Sequence, residues 1–208
     1  MNLLLISFAA LFSVINPLGT LPIFMGLTKD KAKKEMNTIA IWASVNTFII
    51  LLVSFFIGDY ILQFFGISLN SLRISGGIII ASSGFALLSG SFTKHKGMKK
   101  REKDDAFTRS EISLTPLAIP MLAGPGSISL LITYNQENPL VEDKMILVAS
   151  ILLVCFITFL LLAGSRVIIK GLGASGLNAL SRIIGFIVIS IGVEFILSTF
   201  IGIADSYI

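Results

Sequence analysis

Two stretches of the chain hold the residues with most to offer chemically. They are Asn16-Pro17-Leu18-Gly19-Thr20-Leu21-Pro22 and Pro116-Leu117-Ala118-Ile119-Pro120-Met121-Leu122-Ala123-Gly124-Pro125-Gly126-Ser127-Ile128. Both interrupt long apolar runs. Each proline removes a backbone donor and clashes with the carbonyl one turn back, and glycine adds backbone freedom beside it. In lipid, freed backbone groups persist only where protein buries them or where they line a polar cavity. A helix broken there presents a fresh N-terminus, whose unpaired N–H groups and dipole amount to roughly half a positive charge. That end suits a carboxylate, while freed carbonyls suit a cation or an ammonium, so a zwitterion matches both. Asn16, Pro17, Gly19 and Thr20 at the first break, and Pro120, Gly124, Pro125, Gly126 and Ser127 at the second, are therefore candidate substrate-binding residues. Ser129 is a further uncharged group able to complete the coordination. The plainer alternative is a proline kink packed against its neighbours, with Asn16 bonding a freed carbonyl.

Glu194 is the one carboxylate well inside an apolar run. An ionisable group there is expensive and by default functional. Burial raises a carboxylate's pKa, so Glu194 is a candidate carrier of a coupling proton; the alternative is a pair with an arginine or a bond to helix backbone. Arg73 and Arg182 stand at span starts and most simply snorkel to headgroups. His95 falls in a solvated loop. No His/Cys cluster, phosphate loop or nucleophile with a base is present, so the sequence gives no catalytic residue, metal site or cofactor and argues against an enzyme. An intramembrane hydrolase would need a dyad, and Glu194 with Asp59 is a poor one.

The elements that must position these residues follow from composition. Of 208 residues, 54% are hydrophobic and 13% charged, against about 25% charged in a soluble domain. The chain is an integral membrane protein embedded in the bilayer, with no basic soluble domain for nucleic acid. The one cysteine, Cys155, sits in an apolar run and excludes an intrachain disulfide. No Lys or Arg precedes Lys29, so the first apolar run lacks the basic start of a signal peptide and reads as a retained span. Spans of about 20 residues are predicted at 3–27, 38–58, 67–90, 114–134, 145–164 and 182–203. Between them lie a basic loop at 28–37, a long basic loop at 91–113, a polar turn at 135–143 and a Gly-rich connector at 165–181 on the membrane surface. With six spans, loops 1, 3 and 5 share one side and, with Arg182 counted in loop 5, hold 14 of the 16 Lys and Arg. That excess marks the cytoplasmic side and puts both termini outside.

Three spans per half is an odd number, so a repeat must have opposite topology in its two copies. Pro17 and Pro22 are five apart, as are Pro120 and Pro125. Arg73-Ile74-Ser75-Gly76 opens span 3 and Arg182-Ile183-Ile184-Gly185 opens span 6. Later in those spans Ser82, Ser83 and Gly84 parallel Ser190 and Gly192. These small-residue runs allow close helix contact, and packing is their principal role. The expected fold is all-α: six transmembrane helices as two inverted three-helix repeats, with helices 1 and 4 broken. Residues 1–208 form a single polytopic domain, with repeats at 1–90 and 114–208 joined by the basic loop 91–113.

The two proline-bearing stretches, the span count and the Arg-Ile-x-Gly openings resemble the MarC family of inner-membrane proteins, which includes SnatA-type small neutral amino acid transporters. The resemblance covers essentially the whole chain. It implies a six-span membrane protein and, for characterised members, transport of glycine, alanine and similar amino acids. The expected activity is thus transport of a small zwitterionic amino acid bound at broken helices 1 and 4, with proton or sodium coupling open. Export of another small solute, or a membrane-embedded interaction subunit recruiting a partner through loop 91–113, are the alternatives. Oligomeric state is open, a homo-oligomer included.

Overall fold

The computed structural model describes residues 3–89, 117, 118 and 121–205. The first apolar run forms two helices, α1 (Leu3–Ile15) and α2 (Pro17–Leu27), with Asn16 between them in the left-handed conformation, φ 48° and ψ 63°. Asn tolerates that region better than most residues because its short amide bonds locally. Proline at the first position of α2 has its φ preset and lacks only a donor that would be orphaned anyway.

Helix α3 (Lys33–Phe65) is longer than predicted. Its 33 residues span about 50 Å at 1.5 Å per residue, well beyond a hydrocarbon core of about 30 Å. Gly66 ends it at φ 66°, a left-handed cap that only glycine adopts freely. Ser68 then caps α4 (Leu69–Leu88) by accepting the Ser71 N–H at 3.1 Å. Residues 90–116, and with them the basic loop and His95, lie outside the described residues.

The fourth predicted span is described only in part. There the Ala123 N–H reaches the Ala118 carbonyl five residues back at 2.8 Å, a wider closure than an α-helical bond. Gly124 leads into α5 (Pro125–Glu137). The polar turn placed at 135–143 is shorter than expected: α5 runs through Glu137, and α6 (Val141–Ala163) starts four residues later. The connector at 165–181 is also corrected. It is helical, the first part of α7 (Ser165–Asp205), broken only at Gly173 with φ 64° and ψ 175°. Glycines mark one irregular position there and otherwise do not stop the helix. Among the described residues, five helical stretches are long and apolar enough to cross a membrane: Leu3–Leu27, Lys33–Phe65, Leu69–Leu88, Val141–Ala163 and Ser175–Asp205. No strand occurs among the described residues.

The main core joins α1, α2, α3, α5 and α6 through Leu11, Ile15, Leu21, Phe24, Leu51, Leu130 and Val154, all buried. A smaller cluster of Ile80, Leu87, Ile184 and Val188 sits between α4 and α7. These two helices run antiparallel in close contact. A Cβ added to Gly77 would lie 2.6 Å from the Gly192 carbonyl oxygen, and one added to Gly84 would lie 2.6 Å from that of Gly185. The small residues pack backbone against backbone, as expected of membrane helices that gain little from the hydrophobic effect in lipid. At one face, which we term the near face, Arg166 Nη2 donates to the Lys31 carbonyl at 3.0 Å and ties the start of α7 to the α2–α3 loop. The opposite, far face carries the end of α3, the start of α4 and the end of α5.

Candidate functional site

At the first break Asn16 holds the chain by its side chain. Oδ1 accepts the Gly19 N–H at 3.1 Å, capping α2. The Asn16 N–H still reaches the Phe12 carbonyl at 2.9 Å, so the α1 ladder runs up to the break. Thr20 Oγ1 donates to the Asn16 carbonyl at 3.3 Å. The other half of the amide, Asn16 Nδ2, is buried and has no hydrogen-bond partner among the described residues. The donor is poised against α2's N-terminus, since a Cβ on Gly19 would collide with it.

The second break is built differently. Gly124, extended at φ −82° and ψ 168°, precedes α5 and offers no side-chain cap. Pro125 takes the first helical position, and Ser127 Oγ donates to the Gly124 carbonyl at 2.9 Å. The N–H groups of Gly126 and Ser127 fall in the first turn, where a helix has no partner of its own to offer. Gly126 and Ser127 are buried, as are Asn16, Pro17, Gly19 and Thr20. Pro125 is exposed, and Pro120 lies outside the described residues.

The start of α5 adjoins the first break. A Cβ on Gly126 would sit 3.4 Å from Val14 Cγ1, two residues before Asn16, and 2.9 Å from Ile80 Cγ1 on α4. Helices α2 and α5 thus begin near one level and run to opposite faces. Each break thus presents a buried positive helix end, the first with a spare amide donor beside it, and such ends attract an anionic group. Pro17 and Pro22 leave the carbonyls of Ser13 and Leu18 without their usual i+4 donor, which provides acceptors on the same helix pair.

Ser129 is turned away from this region: its hydroxyl donates to the Leu72 carbonyl on α4 at 3.2 Å. Glu194 lies on an exposed face of α7 and has no hydrogen bond or ion pair among the described residues. An apolar surface groove of about 410 Å³ between α3 and α6, lined by Phe48, Cys155, Phe156 and Phe159, holds none of the candidate residues.

A polar network at the far face went unforeseen. Asp59 accepts from Asn135 Nδ2 at 3.0 Å and from Gln136 Nε2 at 2.7 Å. Arg73 Nη1 pairs with Glu137 at 2.7 Å, and Nη2 donates to Ser198 Oγ at 3.0 Å. The guanidinium also lies 5.8 Å above the Phe195 ring. Arg73 therefore does not simply snorkel to headgroups; it links α4, α5 and α7. The network's members come from four helices, so no spacing along the chain signals it.

Helices of this length and polarity, interrupted by buried polar turns, define an integral membrane protein. The chain belongs to the MarC family of integral membrane proteins, whose family model matches residues 1–204. It is 37% identical to a membrane protein of Buchnera aphidicola subsp. Schizaphis graminum over 91% of this chain and 87% of the relative. With the inner membrane protein MarC of Escherichia coli O1:K1 / APEC it shares 32% identity, over 95% of this chain and 93% of that one. A membrane protein of Methanocaldococcus jannaschii is 34% identical over 93% and 94% of the two chains. No solved structure matches the chain.

Proposed function

We propose that the chain is an inner-membrane transporter of small neutral amino acids, with a glycine- or alanine-like zwitterion bound between the two breaks. The observation that carries this reading is the buried, unpartnered Asn16 Nδ2 at the first break, with the start of α5 packed against Val14 two residues before it. The substrate carboxylate takes Asn16 Nδ2 and the free N–H groups at the starts of α2 and α5. Its ammonium takes the carbonyls freed by Pro17 and Pro22. Gly19 and Gly126 keep side chains out of the space, which favours a substrate with little or no side chain of its own. The fuller architecture in this reading is six crossings as two inverted three-helix repeats, with the far face and both termini outside. The strong bias of Lys and Arg to loops 1, 3 and 5 supports that orientation.

The test is uptake of labelled glycine and alanine by purified protein in proteoliposomes, with and without proton or sodium gradients. Saturable uptake, competed by the unlabelled amino acid and lost in Asn16→Leu, is expected. Uptake no greater than in empty vesicles, with no binding of either amino acid to folded protein, sinks the reading and favours an interaction subunit. For orientation, an impermeant thiol reagent added to intact cells should modify Asn138→Cys and spare Lys31→Cys; the reverse pattern inverts the topology.

A further inference from the structure

From the far-face network we infer that the Arg73–Glu137 ion pair and the Asp59 clasp on Asn135 and Gln136 form a gate, closing the path between the far face and the helix breaks. This inference rests on the reading of the breaks as a substrate site.

Along α5 the residues Gly126, Ser129, Thr133 and Glu137 are spaced by three, four and four, which places them on one side of the helix. That side meets α4 at Gly126, Ser129 and Glu137. Gly126 lies against Ile80, Ser129 against Gly76 and the Leu72 carbonyl, and Glu137 against Arg73. The row leads from the second break to the far face, and hydroxyls rather than aliphatic side chains occupy its middle.

Thr133 is the revealing member. A threonine in a membrane helix usually satisfies its hydroxyl on the carbonyl four residues back, and Thr47, Thr158 and Thr199 all do so at 2.7 Å. Thr133 Oγ1 has no partner among the described residues, although the residue is fully buried at 0% exposure. A buried polar atom without a partner is costly and calls for an explanation. A path that fills with water or substrate when the clasp opens supplies one.

The clasp has the properties of a latch more than of a strut. Asp59 of α3 and Arg73 of α4 grip three successive residues, all in the last turn of α5. Glu137 is 37% exposed, so water and ions compete for its carboxylate. Two buried atoms of the network remain without partners, Arg73 Nε as a donor and Asn135 Oδ1 as an acceptor. A zwitterion brings the complementary pair, a carboxylate for the first and an ammonium for the second. An arriving amino acid can therefore replace contacts of the closed clasp with contacts of its own.

The experiment reads accessibility and does not depend on transport. Thr133→Cys, in a Cys155→Ala background, is treated in detergent with a charged thiol reagent, and the rate of modification is measured. Slow modification is expected with the clasp intact. Glu137→Gln should raise the rate tenfold or more, Asp59→Asn should raise it less, and the exchanged pair Arg73→Glu with Glu137→Arg should restore protection. A reporter at Ser7→Cys, on the buried α1–α6 contact with Ser150, should stay slow throughout. An unchanged Thr133→Cys rate in Glu137→Gln, or equal acceleration at Ser7→Cys, overturns the gate and leaves a structural brace. The two readings separate cleanly. Clasp variants that open Thr133 in a protein binding neither glycine nor alanine uphold the gate and sink the amino-acid site. Amino-acid binding with Thr133 protection indifferent to the clasp does the opposite.

Discussion

The two helix breaks begin from the same chemistry, a proline at the first position of the new helix, yet they are satisfied in different ways. At the first, Asn16 accepts the left-handed backbone and caps α2 with its own amide, keeping one donor in reserve. At the second, Gly124 contributes no side chain and Ser127 bonds back to its carbonyl, leaving the start of α5 uncapped. The first break is preorganised by a residue of its own. The second is held by packing against Val14 and Ile80, with no side-chain cap on its backbone donors. Where a cap is part of the structure, disturbing it should cost stability. Where the helix end is bare, disturbing it should mainly cost binding.

That difference is broken most directly at the two glycines. A Cβ on Gly19 collides with the Asn16 amide and lies 3.0 Å from its Cγ, so the cap must leave. Gly19→Ala should cost about 2 kcal/mol, combining cap loss with overpacking. A Cβ on Gly126 meets side-chain atoms of Ile80 and Val14 that can give way. Gly126→Ala should cost about 1 kcal/mol or less, while Gly126→Val should lower glycine affinity at least tenfold in protein that still melts cooperatively. Thermal melts and binding of labelled glycine, on the same preparations, check both. Equal destabilisation at the two glycines would erase the distinction.

Asn16→Gly sharpens the comparison with a smaller effect. Glycine adopts the left-handed conformation readily and replaces an Asn N-cap at a cost of only a few tenths of a kcal/mol. The variant removes Nδ2 while sparing the backbone. Glycine affinity should fall about tenfold, equivalent to 1.4 kcal/mol, with the melting temperature nearly unchanged. A wild-type affinity would remove Asn16 from the site.

Sequence patterns made the apolar membrane helices legible, because long apolar runs act locally. They did not reveal the far-face clasp. Asp59, Arg73 and Glu137 come from three helices, and no spacing along the chain links them. An arginine at a helix start reads as a headgroup anchor until Glu137 and Ser198 are seen beside it. The glycines of residues 165–181 suggest a connector, but membrane helices tolerate glycine, and only Gly173 leaves helical geometry. Glu194 shows a third limit. Its depth in an apolar run was readable, but span 6 is apolar all round, so nothing in its periodicity said which way the carboxylate faces.

The orientation of Glu194 sets the smallest expected effect. The carboxylate faces away from the protein interior on the same helix turn as exposed Val193 and Leu197. A charge on a lipid-facing helix costs about 2.5–3.5 kcal/mol near the bilayer centre, and less toward either interface. Glu194→Gln removes that cost without removing a contact of either break. Glycine affinity should therefore stay within about twofold of wild type, and the melting temperature should hold or rise. Gradient-driven accumulation is the separate readout, because a coupling carboxylate need not touch the substrate. Accumulation lost with affinity intact would assign the proton to Glu194 and require its face to turn inward, or to be covered, during the cycle. Weakened affinity would instead mean that Glu194 reaches the breaks in another conformation, and the division between capped and bare helix ends would then have to include α7.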